Sequence, residues 1–142
     1  MSNKNHKVTF DMKLTKTSQK IDNNICKALT LACESFLHIV PGFVWLTHRA
    51  NYTDFPASLV ITCIFEKEVE IDEMKAQQQD ELLRNTILKQ LIKVGVVVKN
   101  STQQVHFDSE EACLLYHQGE WSQRLALHTL KQKPNATRSR KR

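Results

Sequence analysis

From Lys7 to Lys16 apolar and polar residues alternate without a break. Val8, Phe10, Met12 and Leu14 fall on one side and Lys7, Thr9, Asp11, Lys13 and Thr15 on the other. A period of two over this length predicts a half-buried strand at 7–16. The period then changes. Ile21, Ile25, Leu29, Ala32 or Cys33, and Phe36 recur at steps of three and four, which predicts an amphipathic helix over 18–38, capped by Thr17 or Ser18 and stopped by Pro41-Gly42. Two strand-like runs follow, joined by the polar loop "ANYTDFP", and predict a hairpin over 43–67. In its second run Leu59, Ile61, Cys63 and Phe65 share one face, while Val60 and Ile64 lie on the other. A strand apolar on both faces is either central in a sheet or pressed against a partner.

Residues 72–94 predict one long helix, polar in its first half and carrying Leu82, Leu83, Ile87, Leu88, Leu91 and Ile92 in its second. "VVVK", the polar turn "NSTQ" and "QVHF" predict a second hairpin over 96–107. Asp108-Ser-Glu-Glu111 has the form of a capping box and opens a helix over 109–130, kinked or interrupted near Gly119. Residues 133–142 hold no apolar side chain except Ala136, which predicts a disordered tail. The expected fold is therefore α+β: a mixed or antiparallel sheet of about five strands, in the order β-α-β-β-α-β-β-α, with helices packed on it. At 142 residues, one domain over 1–132 followed by the basic tail accommodates the whole pattern.

Charge changes this picture. The formal +5 is unevenly spread. Five lysines against Asp11 give residues 1–20 a net +4, and six cations with no acid give residues 131–142 a net +6. Nine basic and fourteen acidic residues leave 21–130 at −5. An acidic body with basic ends predicts tethering through the ends rather than a broad cationic groove. The cluster Arg138, Arg140, Lys141 and Arg142 suits non-specific, salt-sensitive contact with nucleic acid or another polyanion. No apolar run reaches the roughly 18 residues that span a bilayer, and the N-terminus has no apolar signal core, so a cytoplasmic chain without membrane contact is expected. Cys26, Cys33, Cys63 and Cys113 contain no C-x-x-C pair and read as free thiols in or near a core.

The candidate chemistry is thin. Cys33 and His38 are five apart, but no second close pair of ligands accompanies them, so no metal site is expected. A thiol set among aliphatics, as Cys63 is, is inert. The three glycines form no phosphate-cradling loop. Glu66, Glu68 and Glu70 are spaced by two, which places them on one side of a strand end, where carboxylates are most simply solvated. No catalytic residue and no cofactor is expected. The segment "FVWLTHRANYTDFP" is the richest in contact-prone side chains, and Trp45, His48, Arg49, Tyr52 and Asp54 are the expected binding residues of its loop.

Residues 82–107 carry a local resemblance. Leu88, Leu91, Gly95, Val97, Val105 and Phe107 give a helix, a short β-branched strand, a polar turn and a second strand. The unit resembles the recognition helix and wing of winged-helix DNA-binding domains. That resemblance implies DNA binding through 82–107, although the preceding helix and tight turn of the family are missing from the predicted elements. The leading expectation is a small non-enzymatic binding protein, whose 43–66 hairpin meets a protein partner or a second copy and whose tail meets a polyanion. An enzyme acting on an anionic small molecule through His48, Arg49 and Asp54, or through the Glu66–Glu70 cluster, is the alternative of a different class.

Overall fold

A computed structural model describes residues 14–128 of the chain. Helix α1 (Lys16–Ile39) is followed by strands β1 (Phe43–Arg49) and β2 (Val60–Phe65). Then come α2 (Glu68–Ala76), α3 (Gln79–Lys93), the one-turn α4 (Ser101–Gln104), β3 (Val105–Ser109), α5 (Glu110–His117) and α6 (Trp121–Ala126). The class is α+β, as expected. Among the described residues, however, the sheet has three strands, not five, in the order β1-β2-β3.

Three expectations are corrected. Of the strand expected over 7–16, residues 7–13 lie outside the described residues; Leu14 and Thr15 are not in a strand, and Lys16 already begins α1. Thr15 is the cap: its hydroxyl accepts from the Ser18 N–H at 3.1 Å, so the helical ladder starts a turn earlier than the apolar stripe does. The second correction concerns 96–107. Residues 96–99 pair with nothing in the sheet, and β3 lies parallel to β2, with Ile61 beside Val105 and Phe65 beside Ser109. A polar turn cannot connect parallel neighbours, which need a crossover. Residues 66–104 are that crossover, with α2 and α3 inside it. The wing of the winged-helix resemblance therefore has no counterpart here.

The third correction is the helix expected over 72–94, which is broken at Gln77–Gln78, where Gln78 takes the left-handed conformation (φ 61°). Phase explains the break. Ile71 and Met74 are the buried residues of α2, and Leu83, Ile87 and Leu91 those of α3. Run on as one helix, the two sets would point to roughly opposite sides of the axis. Breaking in a polar run of three glutamines lets both reach the core. The expected 109–130 helix is likewise divided, into α5 and α6, by Gln118 and Gly119, both with positive φ; residues 129–130 lie outside the described residues.

Antiparallel β1 pairs along β2 from Arg49–Val60 to Phe43–Phe65, with a bulge between Phe43 and Trp45. Every residue of β2 is buried. One face of the sheet (Phe43, Leu46, Ile61, Cys63, Phe65, Val105) packs on Ile25, Leu29, Ala32, Cys33 and Phe36 of α1 and Leu83, Ile87 and Leu91 of α3. The other face presents Trp45, Thr47, Thr62, Ile64, His106 and Asp108. Trp121 of α6 stands edge-on to Trp45 at 5.2 Å between ring centroids. Gln104 is buried and braces the hairpin loop, its side-chain amide donating to the carbonyls of Pro56 (3.0 Å) and Leu59 (2.9 Å).

The turn from α1 into β1 depends on Gly42, whose φ is 84°. A Cβ there would run into the side chain of Glu70, whose Oε1 accepts the Lys67 N–H at 2.9 Å and so caps α2. Gly119 has a similar φ of 81° but open space around it. Gly119→Ala should therefore cost about 1 kcal/mol from backbone strain alone. Gly42→Ala should cost about 2–3 kcal/mol, because the α2 cap is displaced as well. Urea unfolding of the two variants beside the parent chain measures the difference.

Candidate functional site

Two buried carboxylates, one on each face of the sheet, organise the polar chemistry. On the α1 face, His48 is the last core-facing residue of β1. Alternation aims it at the second and third turns of α1, where Asp22 and Cys26 stand one turn apart. His48 Nε2 lies 2.8 Å from Asp22 Oδ1, and both side chains are buried. The Tyr52 hydroxyl, from the hairpin loop, donates to the same Oδ1 at 2.6 Å. Cys26 completes the group: one donor atom from each of Asp22, Cys26 and His48 lies within 4.8 Å of the other two. A buried carboxylate is tolerable only with donors supplied. Burial, and next the hydrogen bond to Asp22, push the Tyr52 phenol upward, so it stays protonated and remains a donor.

On the α6 face the centre is Asp108. Arg124 grips it with two donors, Nε to Oδ2 and a terminal nitrogen to Oδ1, each at 2.8 Å. His128 Nε2 lies 2.7 Å from Oδ2, and the Ser109 N–H donates to Oδ1 at 2.8 Å. Burial alone would raise the Asp108 pKa. The hydrogen bonds from His128, Arg124 and the Ser109 amide outweigh it and hold the group down at about 2, from an ordinary 3.8. Arg124 is held protonated, chiefly by the same hydrogen bond to Asp108. His106, beside His128 with rings 5.1 Å apart, is pushed the other way, first by burial and then by the neighbouring His128. Thr47, Thr62 and His106 form one row across the three strands on this face. Thr47 Oγ1 and His106 Nε2 find no hydrogen-bond partner there.

The five hairpin residues expected to act together are divided by the sheet. Trp45 is buried on the α6 face, where its indole N–H donates to Glu110 Oε2 at 2.7 Å. His48 and Tyr52 meet on Asp22. Arg49, one residue after His48, turns to the α6 face and is half-buried, and burial lowers its guanidinium pKa. Asp54 is exposed in the loop. His48, Arg49 and Asp54 therefore do not converge. Since β2 is buried throughout, its second face is not offered to a partner either. Glu66, Glu68 and Glu70 do not share a strand end: Glu68 and Glu70 lie in α2, Glu70 as its cap, while Glu68 accepts from the Ser109 hydroxyl at 2.6 Å. Arg138, Arg140, Lys141 and Arg142 lie outside the described residues.

Sequence reasoning missed Asp22, Arg124 and His128 as site residues and read Cys26 as a plain core thiol and Asp108 as a helix cap. For Asp22 a signal existed. It is in phase with Ile25, Leu29, Ala32 and Phe36, and an acid on an apolar stripe requires a partner across the core. For Asp108 none existed, because its partners sit beyond a helix break. The cap of α5 is Ser109, whose hydroxyl accepts from the Ala112 N–H at 2.9 Å. The chain matches no protein-family model, no curated protein and no solved structure.

The Asp108 network makes stability acid-sensitive in a defined window. The folded state binds this proton less readily than the unfolded chain. Its contribution is thus complete above about pH 4 and is lost as pH falls towards 2. The shift is worth about 2 kcal/mol. Asp108→Asn should cost about 3 kcal/mol at pH 7, because Arg124 keeps its charge without its partner. It should also flatten the loss of stability between pH 4 and 2, as read by chemical denaturation at a series of pH values.

Proposed function

We propose that this protein is a small binding module that pairs with a second copy of itself through α5 and the end of α6, and that its basic C-terminal residues contact a polyanion. One observation carries the reading. Leu114, Leu115 and Tyr116 of α5 and Leu127 after α6 are each about two-thirds exposed, at 69%, 66%, 66% and 67%. Summed over the four side chains, on the order of 500 Å² of large apolar surface is left in water. Consecutive exposed apolar residues on a helix are not explained by its own packing, since α5 buries Ala112 and Cys113 instead.

A second copy fits this surface for reasons of symmetry and charge. With the two-fold axis perpendicular to the helix, an α5 meets its mate antiparallel. Glu110 and Glu111 then lie at the opposite end of the contact from the partner's, so the four carboxylates are not brought together. The area is below the roughly 800 Å² per partner of a standard stable interface, so the pairing is weak and depends on concentration. The body, at −5 over residues 21–130, does not attract polyanions, and the six cations of 131–142 do. No helix of the described residues is long and apolar enough to cross a membrane.

Light scattering coupled to sizing chromatography should show a molar mass that rises from monomer towards dimer with loading concentration. Leu114→Glu with Leu115→Ser should hold it at the monomer with the melting temperature unchanged, since both side chains are about two-thirds exposed. A parent chain that stays monomeric at every concentration refutes the pairing. Deleting 133–142 removes five cations, and should lower the slope of log affinity against log salt for a single-stranded oligonucleotide by about 3–4. An unchanged slope refutes the tail contact.

A further inference from the structure

We infer that Asp22, Cys26 and His48 form a binding site for one divalent cation of borderline softness, zinc above all. The site is independent of the α5–α6 surface. Its donor set is a thiolate, an imidazole nitrogen and a carboxylate oxygen, the three protein ligand types zinc accepts, and three protein ligands leave a fourth tetrahedral position open. Asp22 and Cys26 come from successive turns of one helix and His48 from the strand packed against it, so two regular elements hold the donors before any ion arrives.

The same residue types could instead suggest a thiol nucleophile with a histidine base and an aspartate. Geometry separates the two. In a nucleophilic triad the imidazole stands between sulfur and carboxylate, each bonded to a different ring nitrogen, which sets sulfur and oxygen roughly 7 Å apart. Here all three donor atoms lie within 4.8 Å of one another. They form a closed triangle about a common point, which is the arrangement of chelation. Tyr52 supplies the second layer. Its hydroxyl donates to Asp22 Oδ1 at 2.6 Å and so positions the carboxylate, as outer hydrogen bonds do in metal sites. When a cation binds, His48 coordinates it through one unprotonated ring nitrogen. The Cys26 thiol loses one proton to solvent.

The test is a titration of the full chain, stripped with chelator, with Co²⁺ as the probe. A single equivalent should bind, with intense visible bands of tetrahedral cobalt and a thiolate-to-cobalt charge-transfer band in the near ultraviolet. Zn²⁺ should then bleach both, and about one proton should be released per ion. Cys26→Ala should lose the charge-transfer band and weaken binding more than about 100-fold, and Tyr52→Phe should keep the band and weaken binding about 10-fold. The melting curve of each metal-free variant is recorded beside that of the parent, which tells a lost fold apart from a lost ligand. Cys26→Asp, which retains an oxygen ligand, should bind Co²⁺ without the sulfur band. Absence of stoichiometric binding, a spectrum with no sulfur band, or a Cys26→Ala chain that titrates like the parent overturns the assignment.

Discussion

The constraint on which the rest of this structure depends is the burial of β2 on both faces. Six consecutive residues, Val60 to Phe65, are sealed from water, so a layer must lie on each side and a strand along each edge. The α1–α3 layer covers Ile61, Cys63 and Phe65. Strand β1 takes one edge and β3 the other, and α6 closes over the second face through Trp121. The helix break at Gln78 follows from this demand, because α2 and α3 bury apolar sets that a straight helix would aim apart. So does the parallel β3, whose arrival from a long crossover completes the ladder that an open edge of β2 would leave unpaired.

Enclosure on both sides also explains where the charged chemistry sits. Each interface between sheet and helices contains one buried acid, and each acid is surrounded by donors from other elements. Asp22 joins the start of α1 to the end of β1 and to the hairpin loop. Asp108 joins the end of β3 to α6. These contacts are directional, whereas the apolar packing around them is not. They fix how far each helix slides and turns against the sheet. The two centres differ in kind. Asp108 accepts from a bidentate guanidinium, an imidazole and an amide, which satisfies it. Asp22 shares its corner with a thiol and an imidazole, both of them metal ligands.

Local pattern was a good guide wherever the decisive contacts were local. The α1 stripe from Ile25 to Phe36, the 43–67 hairpin and the both-faced character of 57–65 were legible, since period and turn chemistry report on neighbours in sequence. What was not legible depended on distant partners. "VVVK" has the composition of a strand, yet Val96 and Val98 are buried in an unpaired extended segment and pair with no strand. "QVHF" was read as the return arm of a hairpin, when its partner is β2, far back in the chain. Trp45 was named among the binding residues and His48 was expected near the loop, because contact-prone residues near a turn resemble an interface, yet both are buried. Alternation from Trp45 to Arg49 was legible, but the bulge that sets Trp45 on the face opposite Phe43 was not, nor was what waited on each face.

The parallel pairing of β2 with β3 has a kinetic corollary. Roughly forty residues separate the two strands, and closing a loop of that length carries an entropic toll that the local hairpin avoids. A chain emerging from the ribosome can zip β1 to β2 and dock α1 early, yet the far side of the central strand stays bare until α2, α3 and β3 have all been made. During that interval an apolar edge, Val60 through Phe65, is open to any other extended segment nearby. Nascent protein is thus most vulnerable to mispairing at the strand that becomes its best-protected part.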